Sequence, residues 1–221
     1  MSRIIEKNVH RYDELSEDAK QTAREWYANG FDYDWWTDTY EDLGTTASIV
    51  GIAVDKRKVK LMGGGTLEDY DFSFDIGYRN SFHFTGYYSY DKGWKELAKK
   101  EYGKDVFTRD TKEDKTAAFL QEWDKLQHSI QRPAFYGLSC KISSCSWNNG
   151  MSLDCRHITT TGYENYATDA QEKDLEGLIE LFQGYALSML NAEWDYLNSD
   201  EAIEESIRAN DYEFDECGNA A

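Results

Sequence analysis

The chain has 221 residues, with 42 Asp and Glu against 24 Lys and Arg, for a net charge of −18. That length accommodates one domain with a core of its own, and 16 Tyr, 10 Phe and 7 Trp exclude a disordered polyanion. Acidity of this degree argues against direct binding to nucleic acid or an anionic membrane, and favours a basic partner.

The charge is gathered rather than spread. Residues 25–55 hold seven acids and no Lys or Arg, and residues 174–221 hold thirteen acids with Arg208 alone. Met1 to His10 lacks an apolar core, and no apolar run approaches the ~20 residues of a membrane helix. A cytoplasmic location is therefore expected, with Cys140, Cys145, Cys155 and Cys217 as reduced thiols.

In chain order, residues 3–9 (RIIEKNV) read as a strand, and Ser16 caps a helix running to about Ala28, where Asn29-Gly30 stops it. A second helix is expected over 32–50. Trp36, Tyr40, Leu43, Ala47 and Val50 fall on one arc of it, with Asp34, Asp38 and Glu41 opposite and Asp42 on the flank. Four carboxylates over roughly 12 Å approach the ~3.4 Å charge spacing of one DNA strand.

Residues 52–62 read as a strand, with Gly63-Gly64-Gly65 as a flexible connection. From Asp71 to Tyr90, Phe72, Phe74, Ile76, Tyr78, Phe82 and Phe84 alternate with polar or small residues, which predicts a hairpin with its aromatics on one face. A loop of Arg79-Asn80-Ser81 would pair Tyr78 with Phe82 and Ile76 with Phe84. Helices follow at about 91–101 and 113–131, and Pro133 leads into a second hairpin, with strands at 135–146 and 151–160 about an Asn149-Gly150 turn. The longest helix is expected over 169–197, then a last helix over 199–210 capped by Asn198 with Glu201, a short strand at Tyr212–Phe214 and a loose tail. The acidic helical segments are thus 32–50 and 169–210. Together the elements predict a single α+β domain over 1–221: an antiparallel sheet of two aromatic-rich hairpins with helices packed mainly on one face.

No catalytic motif stands out. Cys140, Cys155 and His157 share a face of the second hairpin whereas Cys145 faces the other way with Asp154, so no metal site is expected, and no cofactor. Lys56, Arg57, Lys58 and Lys60 read as a charged strand edge rather than a nucleic-acid patch. His83, Thr85 and Tyr87 share a polar face with Asp71, Ser73 and Asp75, a surface that suits a small ligand such as a nucleotide, or acid–base work.

ELSEDAKQTAREWY (14–27), DYDWWTDTYEDLG (32–44) and WDYLNSDEAIEESIRANDYEFDECG (194–218) resemble a family of acidic phage- and prophage-encoded proteins labelled "antitoxin of toxin–antitoxin stability system". The stretch from Tyr78 to Gly86, YRNSFHFTG, departs from the Gly-Asp-Gly-rich segment of that family. The resemblance implies a mobile-element origin and an interaction role.

The expected function is non-enzymatic: an acidic protein, phage-encoded by the resemblance, that inhibits or sequesters a basic, nucleic-acid-binding toxin or host-defence partner by nucleic-acid mimicry. The expected partner-binding residues are Asp34, Asp38, Glu41, Asp42, Asp195, Asp200, Glu201, Glu204, Glu205, Asp211 and Glu213. The alternatives are a small-ligand sponge or enzyme built around His83 and Tyr87, and a structural or housekeeping protein whose acidity only keeps it dispersed.

Overall fold

The computed structural model describes residues 8–30, 34–130, 138–145, 150–158 and 164–221. The expected first strand at 3–9, Pro133 and Asn149 lie wholly or largely outside them. The first elements are β1 (His10–Arg11), a 3-10 turn (Tyr12–Glu14), α1 (Glu17–Asn29), α2 (Thr37–Ile49), β2 (Ile52–Val54) and β3 (Lys56–Lys60). Next come β4 (Thr66–Tyr70), β5 (Phe72–Asp75), β6 (Ser81–Ser89), α3 (Trp94–Tyr102) and α4 (Lys115–Ser129). The last are β7 (Leu138–Cys145), β8 (Gly150–Ile158), β9 (Glu164–Tyr166), α5 (Asp169–Leu197), α6 (Asp200–Ala209) and β10 (Glu213–Phe214). Among the described residues no helix is long and apolar enough to cross a membrane.

The chain divides into two compact units, residues 36–191 and residues 1–35 with 192–221. Every strand pair in both is antiparallel, so the mixed α+β class read from the sequence is the class observed.

In the 36–191 unit the main sheet runs β2-β6-β7-β8-β9, and β5 also pairs with β6. Alternation along β6 sends Phe82, Phe84 and Tyr88 to one face, and all three are buried there. Tyr40 of α2 meets Phe72 edge-on at 5.0 Å, Trp123 of α4 lies 6.5 Å from Tyr88, and Phe182 of α5 lies 5.5 Å from Phe84. Three helices therefore cover the same aromatic face. Along α5 the sequence pattern places Leu175, Leu178, Ile179, Phe182, Ala186, Met189 and Leu197 on one apolar arc. The first five are fully buried, Met189 and Leu197 are half-buried, and Leu190 is fully buried as well.

Both hairpins keep the expected faces but not the expected register. Phe72 pairs with Phe84 and Phe74 with Phe82, four residues out of step with the predicted partners, and Tyr78 is left 92% exposed. In the second hairpin Cys145 pairs with Gly150, so Gly150 belongs to the ladder rather than to a two-residue turn. That register is also shifted by four. An even slip preserves which side chains share a face, so the hydrophobic pattern is satisfied by either pairing.

The shift sets Cys140 directly opposite Cys155, and the two form a disulfide with their Cα atoms 4.0 Å apart. The expectation of four reduced thiols is overturned for this pair, and neither can then serve as a thiolate ligand for zinc. Cys217 is a free, exposed cysteine.

The expected strand over 52–62 is interrupted at Asp55. β2 and β5 pair with opposite ends of β6, and between them β3 and β4 leave the sheet as a separate two-stranded hairpin. The Asp71 N–H donates to the Asp55 carbonyl at 2.8 Å, which closes the base of this excursion. Lys56 to Lys60 is exposed along its whole length and faces TLEDY, with Arg57 opposite Asp69 and Lys58 opposite Glu68. The basic run is thus a charged, solvent-facing strand, as expected.

One ring fixes the hairpin to the core. Tyr70 stacks on Phe72 at 5.4 Å and carries the Lys56 ammonium 4.4 Å from its ring centre. A Cβ on Gly44 of α2 would lie 2.1 Å from that ring. Gly44→Val is therefore expected to displace Tyr70 and destabilise the unit by about 1–3 kcal/mol. Urea denaturation checks this, and a change below ~0.5 kcal/mol would show that Tyr70 is free to move aside.

The second unit is smaller. Ser16 accepts from the Ala19 N–H at 3.3 Å and starts α1 as predicted. α6 is capped by Ser199, whose hydroxyl accepts from the Ala202 N–H at 3.3 Å, one residue later than the expected Asn198 cap. The core joins Tyr12, Leu15, Ala19 and Ala23 to Ile203, Ile207 and Phe214, while β1 pairs with β10. The tail is not loose. Asp215 accepts from the N–H groups of Cys217 and Asn219 at 3.0 and 2.9 Å, and Gly218, at φ +86°, packs so close to Ala19 that a Cβ would lie 2.0 Å from its carbonyl oxygen.

Candidate functional site

The predicted four-carboxylate helix face is only partly realised. α2 begins at Thr37, so Asp34 precedes the helix and belongs to the other unit. The three following acids, Asp38, Glu41 and Asp42, do lie exposed on α2, away from the buried Tyr40, Leu43 and Ala47. Trp36 stands at the N-cap, half-buried and 5.5 Å from Phe74.

A fourth carboxylate comes from elsewhere. The Asp42 carboxyl is pushed above its usual value by burial, and then by the negative charges of Asp38, Glu41 and Glu101. Glu101 stands exposed near the end of α3. Among the described residues none of these four carboxylates is in an ion pair. Like charges three and four residues apart on a helix cost ~0.2–0.5 kcal/mol per pair when no cation relieves them. The result is a concentrated negative field over the exposed side of α2 and the end of α3.

The C-terminal acids divide into two sets. Glu204 accepts from Arg24 at 2.8 Å and from Arg208 at 2.9 Å, and Asp200 lies 3.6 Å from the Arg24 Nε. Asp211 pairs with Arg11 at 2.6 Å, and Arg208 also reaches Asp13 at 2.8 Å. The Arg24 guanidinium further donates to the Tyr12 hydroxyl at 3.0 Å. Asp200, Glu204 and Asp211 are thereby engaged in holding α1, α6 and the 3-10 turn together. Asp195, Glu201, Glu205 and Glu213 are exposed and, among the described residues, outside any ion pair. These four remain available to a partner.

Burial alone would raise the Glu204 carboxyl, but hydrogen bonds with Tyr12, Arg208 and Arg24 outweigh it and hold that carboxyl below its usual value. Asp42 is shifted the opposite way. One acid is neutralised from within the fold and the other is left to its like-charged neighbours.

The polar face predicted on the first hairpin divides as well. Tyr87 is 48% exposed, and Thr85 donates to Asp55 at 2.8 Å. His83, opposite Ser73, is only 6% exposed. The sheet splits close by: the β6–β7 ladder ends at Thr85 and Ser143. Beyond that point the Ser144 hydroxyl serves the Phe84 N–H and carbonyl at 2.8 and 3.0 Å, and the Gln183 amide donates to the Phe82 carbonyl at 2.9 Å. Side chains there replace the ladder, and a cleft of about 300 Å³ opens against α5 with His83 in its lining. Sequence reasoning placed His83 on a polar face but had no signal for the split.

Among the described residues no three His, Cys, Asp or Glu side chains converge as metal ligands would. The chain matches no protein-family model, no curated protein and no solved structure.

Proposed function

We propose that the protein is a non-enzymatic acidic binder that occupies the positively charged surface of a nucleic-acid-binding partner. The observation that carries this reading is the cluster of Asp38, Glu41, Asp42 and Glu101, exposed and, among the described residues, outside any ion pair, whose like charges add to burial in raising the Asp42 carboxyl. A surface evolved only for dispersal would scatter lysines among such acids, because each pairing removes a cost. Asp195, Glu201, Glu205 and Glu213 supply a second exposed acidic set on the other unit. Binding by such surfaces proceeds through fast, salt-sensitive association and excludes nucleic acid by competition. The resemblance to acidic phage and prophage proteins is in keeping with inhibition of a toxin or a host-defence complex.

The test is capture on immobilised protein from a producing-cell lysate, followed by challenge with duplex DNA and with salt. A basic protein should be retained, displaced by the duplex, and released as ionic strength rises. Asp38→Asn/Glu41→Gln/Asp42→Asn should retain at least fivefold less of it at unchanged or slightly higher melting temperature, since the replaced side chains are exposed and repel one another. Equal retention by the triple variant, or a retained partner indifferent to duplex DNA, would overturn the proposal.

A further inference from the structure

The cleft beside His83 has three features that the acidic surfaces do not explain. Both ring nitrogens of His83 are buried with no hydrogen-bond partner, and so is the hydroxyl of Ser81. Leaving polar groups of this kind buried and unsatisfied is costly to the fold. No hydrogen bond joins the two residues, so they are not a nucleophile and its base.

Glu176 and Glu180 stand across the cleft on α5, four residues apart, exposed and, among the described residues, outside any ion pair. They make the site hostile to anions. A metal ion is disfavoured too, because no three His, Cys, Asp or Glu side chains converge among the described residues.

Gly184 is the third feature. It lies inside the 29-residue helix α5, where glycine is destabilising relative to alanine. A Cβ there would meet nothing within 4 Å, so packing does not require the glycine. On its far side Gly184 and Glu180 also line a second cleft of about 430 Å³, walled by Phe119, Leu181 and Tyr185. Phe119 and Tyr185 stack there at 4.4 Å. Gly184 thus keeps open the junction between a polar, acidic cleft and an apolar one.

We infer that this double cleft binds a small amphipathic amine, its ammonium group set among Glu176, Glu180, Ser81 and His83 and its apolar body laid across Gly184 against Leu181, Phe119 and Tyr185. Burial, and next the charge of Arg79, hold the His83 imidazole below its usual value. That favours the neutral imidazole, which offers a bare nitrogen to an ammonium N–H. The carboxylates supply the countercharge, and the aromatic wall takes the hydrocarbon. This site does not depend on the acidic-binder reading.

Calorimetry with 4-phenylbutylamine as the probe tests the inference on the full chain. Saturable one-to-one binding is expected, with 4-phenylbutanol, which lacks the charge, and 1,4-diaminobutane, which lacks the apolar body, each at least tenfold weaker. The ring-nitrogen NMR signals of His83 should shift at saturation. Glu176→Gln/Glu180→Gln should weaken the amine at least tenfold. Gly184→Leu should fold at least as well as the parent, because leucine is the better helix former and space is open. It should also reduce the probe to the affinity of the diamine. No saturable binding at millimolar amine, binding that leaves His83 unshifted, or an unchanged preference for the apolar tail in Gly184→Leu would each overturn the assignment.

Discussion

Replacing Phe182 by alanine is expected to cost about 3–5 kcal/mol, the largest effect of any single substitution considered. Phe182 is fully buried and lies between two layers: Phe82 and Phe84 of β6 at 6.3 and 5.5 Å, and Phe119 of α4 at 6.0 Å, with Tyr185 of its own helix at 6.4 Å. Truncation removes the contacts of a whole ring and leaves a cavity that neither the sheet nor two packed helices can close. Against a typical total stability of about 5–15 kcal/mol, such a loss brings the 36–191 unit near the edge of folding. Phe182→Leu, which keeps most of the volume, should cost clearly less. Equilibrium urea unfolding of both variants measures the difference. Equal, small losses would mean that the aromatic layers are not packed against one another as described.

The second large effect concerns the small unit and its response to acid. Arg24 joins Tyr12, Gln21, Asp200 and Glu204, and its side chain is 14% exposed against 25% for Glu204. Arg24→Met is expected to cost about 1–3 kcal/mol, less than a fully buried pair because water still reaches both partners. Glu204 has its folded-state value depressed, so the stability it contributes is present above its unfolded value near 4.5 and is lost as pH falls through the lower folded value. Glu204→Gln should therefore melt below the parent at pH 7, and the two should converge as the pH drops below 4.5. A gap that stays constant with pH would show that the glutamate contributes only shape.

What the sequence made legible follows from which physical signals are local. Helix ends were readable at Ser16, because a capping hydroxyl acts three residues away, and α5 was readable because its apolar arc repeats over 29 residues. Strand faces were readable because side chains alternate. Register was not, since a slip of four residues in either hairpin leaves every face unchanged, and loop length had to be inferred from turn residues alone. The disulfide was hidden for the same reason: Cys140 and Cys155 were placed on one face but not opposite one another. β4 carried no signal, because Thr66, Leu67 and Glu68 are exposed and only Asp69 and Tyr70 are half-buried, which leaves no apolar alternation to display. The pairing of Glu204 with Arg24, 180 residues apart, the end of the β6–β7 ladder at Thr85 and the burial of His83 are tertiary facts with no local imprint.

The excursion of β3 and β4 bears on how copies of the chain behave at high concentration. A two-stranded ribbon has two free edges, and this one carries Lys56, Arg57, Lys58 and Lys60 on one strand with Glu68 and Asp69 on the other. Two such ribbons meeting by their basic strands repel, whereas basic strand against acidic strand attracts, and that mode of addition has no end point. What opposes it in dilute neutral solution is the bulk charge of −18, which keeps whole molecules apart beyond the reach of edge-to-edge hydrogen bonding. The acidity that we propose serves a basic partner therefore also acts as colloidal protection, and that protection disappears as the medium approaches the isoelectric point near 4.6.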